Sequence, residues 1–238
     1  MTAAHTLVLT AHGSADPRSP ETTWAVADQI RSMRPGLDVR VAFCERSDPN
    51  LRDVLGRLDG PAVVTPLLLA SAYHAGVDIP AIIDESGADV RLADTLGEDP
   101  RLVDVLRRRL SEAGVERSCA ETGVLVVAVG SSRAAANSGT VTLSDALRPG
   151  SRWAGVQVAF ATGTQRPVTD GIERLRALGA RRIVLAPWFI AAGVITDRVA
   201  AVAAAAGVEM AEPLGAHPLL AAAVLDRFDE AVAARLAA

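Results

Sequence analysis

"LTAHGSADPRSP", residues 9–20, and "VAVGSSRAAANS", residues 127–138, decide how this chain is built. Both follow an aliphatic run and both carry A-x-G-S, but His12 in the first stands where Val129 stands in the second, 117 positions later. The same offset carries "VRVAFCERSDPNL" (39–51) onto "VQVAFATGTQRPV" (156–168). "VVTPLLLASAYHAG" matches "IVLAPWFIAAGVIT" with Pro66 over Pro187, an offset of 121, and "LGEDPRLVDVL" matches "LGAHPLLAAAVL" with Leu96 over Leu214, an offset of 118. Self-similarity in constant order at near-constant spacing marks a tandem duplication. The expected division is residues 1–120 and 121–238, with the boundary near Cys119–Gly123, after a helix that Gly114 ends.

Within each half, short β-branched or aliphatic runs such as "HTLVLTA", "VRVAF" and "AVVTPLLL" read as strands buried on both faces. Helix starts lie between them at Ser19-Pro20, Asp48-Pro49 and Asp99-Pro100, where a capping residue precedes proline. The strand–helix alternation predicts α/β architecture: two lobes, each a parallel four-stranded sheet flanked by helices, facing each other across a cleft.

The chain has 238 residues, half of them apolar, which is enough to fill real cores. Net charge is −4 and aromatics are 3%, so nucleic acid and anionic membranes are not expected partners. No apolar run reaches the roughly 20 residues of a membrane span, and "MTAAHTLVLT" lacks a basic leader region, so a cytoplasmic protein is expected. All 24 basic residues are arginine, which removes Schiff-base and P-loop lysines from any mechanism. Two cysteines make no disulfide framework, and strand alternation turns Cys44 away from its neighbour Glu45.

Ligands of open parallel sheets bind beyond the carboxyl ends of the strands. At those positions the first half has His12, Glu45 and His74, and the second has Val129, Thr162 and Ile195. Two imidazoles and a carboxylate suit a borderline divalent metal, and equally an acid–base set; their spacing alone decides neither. His217 in "LGAHP" takes the place of Asp99 and reads as a helix-start residue.

Read as a set, "AHGS", "VAFCERSDPNL" and "PLLLASAYHAGVDIP" resemble the sirohydrochlorin chelatases, the class II tetrapyrrole chelatases, in their long two-lobed form. The resemblance implies insertion of Fe2+ (for sirohaem) or Co2+ (for a cobalamin precursor), with Ni2+ a further candidate, into a carboxylate-rich tetrapyrrole without ATP. The ion is then a substrate, and no permanent cofactor is expected. His12, His74 and Glu45 match the family's metal-handling and catalytic positions. Gly13, Ser14, Arg18, Arg46 and the small-residue loop with Ser71, Ala72 and Tyr73 are candidates to meet the macrocycle and its carboxylates. Tyr73 stands where many relatives have glycine. The second half reads as a degenerate repeat, an internal partner that makes a monomer the expected state. The alternative function is a carrier that binds metal or tetrapyrrole without turnover.

Overall fold

The computed structural model describes residues 6–70, 77–131, 134–163 and 165–236. They form two compact units, Met1–Gly97 with Ala216–Ala238, and Glu98–Gly215.

The first unit is built on four parallel strands, β1 (Thr6–Ala11), β2 (Val39–Phe43), β3 (Ala62–Pro66) and β4 (Val90–Leu92), in the order β2-β1-β3-β4. Leu9 on β1 faces Val41 on β2 and Thr65 on β3. Both faces of the sheet are covered, which is why the strands read as continuous apolar runs rather than as alternating ones. On one face Val8, Ala42, Ala62 and Val64 pack with Leu51, Val54 and Leu55 of α2 (Leu51–Leu55) and with Ile79 and Ile82 of α3 (Ile79–Ser86). The other helix of this half, α1 (Arg18–Met33), buries Val26, Ala27 and Ile30. Each fully buried aliphatic side chain of this kind contributes roughly 1.5–3 kcal/mol.

Helix α4 (Pro100–Glu112) follows β4 in sequence but belongs to the second unit. That unit's strands are β5 (Thr122–Ala128), β6 (Gly155–Phe160), β7 (Arg182–Pro187) and β8 (Glu209–Met210), parallel and in the order β6-β5-β7-β8. Val126 faces Val158 and Ala186, the same register as Leu9 with Val41 and Thr65 at the offsets of the repeat. Two helices, α5 (Ala134–Val141) and α6 (Leu143–Leu147), stand where the first half has α1. α7 (Val168–Ala177) and α8 (Val194–Ala205) pack Val168, Ile172, Leu175, Val199 and Ala203 on Leu125, Val127, Ile183 and Leu185.

The last helix, α9 (Pro218–Leu236), lies in the first unit, against α1 and β3. Arg34 of α1 holds Asp229 of α9 through two 2.6 Å bonds, and Arg91 of β4 donates to the Ala231 carbonyl at 3.1 Å. The compact units therefore differ from the consecutive halves 1–120 and 121–238 by the exchange of their closing helices. Each of those helices offers the same apolar stripe, Leu102, Val103, Leu106 and Leu110 on α4 and Leu220, Val224 and Phe228 on α9. A stripe does not specify which sheet it will cover.

Two expected helix starts shift. α1 begins at Arg18 with Pro17 in the capping position, so Ser19 lies inside the first turn. α2 begins at Leu51 and is capped by the Asn50 side chain, which accepts from Arg52 N–H; Asp48-Pro49 belongs to the preceding loop. α4 is capped by Asp99 with Pro100 at its first position, and Gly114, at φ +71, follows its end. Among the described residues no helix is long and apolar enough to cross a membrane.

Candidate active site

The ladder between β1 and β2 continues one step beyond both strands. Cys44 N–H donates to the Ala11 carbonyl and Glu45 N–H to the His12 carbonyl, each at 3.0 Å. This extension sets His12 and Glu45 side by side, and their side chains meet with His12 Nε2 3.0 Å from Glu45 Oε1. The side chains are 37% and 48% exposed, so the pair is anchored from below and open above. Arg46, in the left-handed region at φ +60, brings its Nε to 3.5 Å from the same carboxylate oxygen. Next to the pair, Cys44 turns into the first unit's apolar cluster. Burial first, then the Asp78 and Glu45 carboxylates, push its thiol up to about 11, so it stays protonated and is a poor soft ligand.

The turn after β1 is tied down internally. Gly13 has φ +94, a conformation glycine adopts without strain. Ser14 N–H donates to Ser47 Oγ at 3.0 Å, and Ser47 Oγ donates to the Ser14 carbonyl at 2.9 Å. Ser14 Oγ accepts from Asp16 N–H at 3.0 Å. Three polar groups of Ser14, a candidate to meet substrate, are thus bonded inside the protein. Arg18 is also engaged: its guanidinium grips Asp16 through Nε at 2.9 Å and a terminal nitrogen at 2.6 Å. The Arg18 hydrogen bond holds the Asp16 carboxyl below its ordinary range. Arg46, with a side chain 67% exposed, is the more available of the two arginines for an external anion.

The remaining candidates, Ser71, Ala72, Tyr73 and His74, lie outside the described residues. In sequence they fall between the carboxyl end of β3 and Asp78, which precedes α3. Among the described residues no three His, Cys, Asp or Glu side chains come together as a metal cage.

The second unit repeats the backbone of this site without its chemistry. Ala161 N–H donates to the Ala128 carbonyl at 2.8 Å and Thr162 N–H to the Val129 carbonyl at 2.9 Å. Gly130 repeats the positive φ of Gly13 at +91. Val129 is 41% exposed, and the Thr162 hydroxyl folds back onto the Val129 carbonyl at 2.7 Å. His217 is a helix-start residue as expected, its Nδ1 accepting from Leu219 N–H at 3.1 Å.

The profile of the CbiX family matches the chain twice, over residues 6–113 and 123–231. The chain is 27% identical over 201 residues to a sirohydrochlorin cobaltochelatase of Priestia megaterium, covering 79% of this chain and 65% of that protein, just under two thirds of its length. It is 34% identical over 118 residues to the sirohydrochlorin cobaltochelatase of Methanosarcina acetivorans, covering 43% of this chain and 91% of that one. A sirohydrochlorin ferrochelatase of Priestia megaterium is 23% identical over 193 residues, covering 70% of this chain and 72% of its own. Among solved structures, SirB from Bacillus subtilis with Fe3+ shares the fold with a TM-score of 0.79 at 19% identity, over 95% of each chain.

Proposed function

Because the chain belongs to the CbiX family, carrying its segment twice, we propose that it is a sirohydrochlorin chelatase that inserts Fe2+ or Co2+ without ATP. The observation that carries this reading is the His12–Glu45 pair, 3.0 Å apart and half-exposed at the carboxyl ends of β1 and β2.

Insertion exchanges one divalent ion for two protons: M2+ and the free macrocycle give the metal complex and 2 H+. The protein has to present the ion in a shell that opens easily and to take up protons as the pyrrole nitrogens lose them. A neutral imidazole with a carboxylate does the first, because few protein ligands on a partly exposed site leave positions for the incoming nitrogens. Glu45 does the second, accepting a proton where solvent can carry it off. We assign His74 the third ligand position and Arg46 the contact with a substrate carboxylate, for which its guanidinium offers a two-point donor. The chemistry resides in the first unit, the second having Val129 and Thr162 in place of His12 and Glu45. With two family segments already in one chain, the working form is a monomer.

The test is anaerobic turnover of sirohydrochlorin, followed by absorbance, with Fe2+, Co2+ and Ni2+ in turn. Wild type should turn over repeatedly with at least one ion, and His12→Ala, Glu45→Gln and His74→Ala should each fall by about a hundredfold. Stoichiometric binding that stops after one equivalent would show a carrier instead.

A further inference from the structure

We propose that Ser47 is a positioning residue for metal delivery: its hydroxyl clasps the loop that carries His12 to the loop that carries Glu45 and keeps the pair in register. The proposal rests on the chelatase reading for its consequence and on hydrogen-bond geometry for its cause.

A hydroxyl has one donor and room for two acceptor contacts. Ser47 Oγ spends the donor on the Ser14 carbonyl, at 2.9 Å, and an acceptor site on the Ser14 N–H, at 3.0 Å. Both backbone groups of one residue in the β1–α1 turn are thus satisfied by one side chain of the β2–α2 loop. Ser47 is itself fixed, since its N–H donates to the Glu45 carbonyl at 2.8 Å across the left-handed Arg46. From the end of β1 outward, then, the two segments are joined at three points: Cys44 to Ala11, Glu45 to His12, and Ser47 to Ser14.

The second unit supplies a comparison. Ser131 is the repeat equivalent of Ser14, and its N–H and carbonyl are held by the same kind of two-bond clasp. The partner there is Asn137 of α5, whose Oδ1 accepts from Ser131 N–H and whose Nδ2 donates to the Ser131 carbonyl, both at 2.8 Å. There the two bonds come from a residue six positions on in the same segment. In the first unit the clasp comes from the neighbouring loop, where a histidine on one loop must stay beside a carboxylate on the other. A ligand pair has to be held to a fraction of an ångström to act as a pair, and side chains on loops depend on such outer contacts for it.

The experiment compares Ser47→Ala, Ser47→Thr, Ser47→Val and Asn137→Ala in the full chain. Co2+ affinity is read from the ion's visible absorption, turnover kinetics are varied in metal and in tetrapyrrole, and Tm is measured for each protein. Threonine keeps the hydroxyl; valine has threonine's shape without it. Ser47→Ala and Ser47→Val should weaken Co2+ binding and raise the metal KM by about tenfold, the upper reach of one hydrogen-bonded link, with kcat changed less than about twofold. Ser47→Thr should restore both values, and Asn137→Ala should lower Tm as Ser47→Ala does while leaving the metal KM at wild type. Wild-type Co2+ affinity in the alanine and valine variants overturns the proposal, as does an equal loss in Asn137→Ala. Co2+ binding that ranks as expected in a protein that never turns over sirohydrochlorin would sink the chelatase reading and leave the clasp standing. No Co2+ band in the wild type would remove both.

Discussion

A β-carbon on Gly13 would lie 1.7 Å from the carbonyl oxygen of Glu45. The two loops of the candidate site are therefore in backbone contact at the point where one carries the histidine and the other the carboxylate. Gly13→Ala combines that overlap with a φ of +94, and neither atom belongs to a flexible side chain that could move aside. The expected cost is about 2–4 kcal/mol by urea unfolding, together with loss of turnover. Gly130→Ala meets the Thr162 carbonyl oxygen at 2.8 Å and should cost less and spare activity.

Val129→His with Thr162→Glu should recreate a histidine–carboxylate pair in the second unit. The carrier is already present, since Thr162 N–H reaches the Val129 carbonyl at 2.9 Å just as Glu45 N–H reaches that of His12 at 3.0 Å. Placed in a His12→Ala/Glu45→Ala background, the double substitution should restore Co2+ binding, weaker than in the wild type because the third position is Ile195. Absence of any cobalt band would show that backbone register alone does not build the pair.

The closing helices start on different chemistry at equivalent positions. Asp99 Oδ1 accepts from Arg101 N–H at 2.9 Å, and His217 Nδ1 accepts from Leu219 N–H at 3.1 Å. Alanine at either should cost about 1 kcal/mol in chemical denaturation through the lost cap. Asp99→Ala should cost more than His217→Ala, because Asp99 is buried and also holds the Arg101 guanidinium at 2.8 and 2.9 Å.

The two cysteines should separate cleanly in an alkylation time course at pH 8. Hydrogen bonds from Thr122 and the Glu121 backbone hold Cys119 below the usual thiol range, while Cys44 is pushed up to about 11 by burial and nearby carboxylates. Iodoacetamide should modify Cys119 at least about tenfold faster, read by peptide mass, since the thiolate is the nucleophile. The Cys44 shift also sets a pH dependence. Its folded value lies above the ordinary 9, so its contribution to stability is full below pH 9 and is lost as pH rises through about 11. Cys44→Ala should flatten that alkaline slope in unfolding measurements. A slope that persists unchanged would place its origin elsewhere.

The architecture was legible because it is written twice. The offset of 117 places Val126 on Leu9, and the observed registers on β1 and β5 agree. Strand-end logic brought His12 and Glu45 to one point, and their side chains lie 3.0 Å apart. What was not legible has physical reasons. Nothing in the stripes of α4 and α9 distinguishes one apolar sheet from the other, so the helix exchange could not be read. Ser47 gave no pattern, because a single hydroxyl in a loop looks like any solvated serine until its partner is known. The engagement of Arg18 did leave a signal, an acid two positions earlier at Asp16. His74 rests on the motif alone.

The exchanged helices also set an order of events during synthesis. The unit that holds His12 and Glu45 starts with β1, yet the helix that packs on its α1 and β3, α9 at residues 218–236, is made after the whole second unit. The second unit has all its elements by residue 215. Domains made in sequence usually mature from the amino end. Here the unit that holds His12 and Glu45 lacks one of its packing helices until its duplicate has been made. A nonsense mutation or a proteolytic nick near residue 216 would therefore strike the site almost two hundred residues upstream of it.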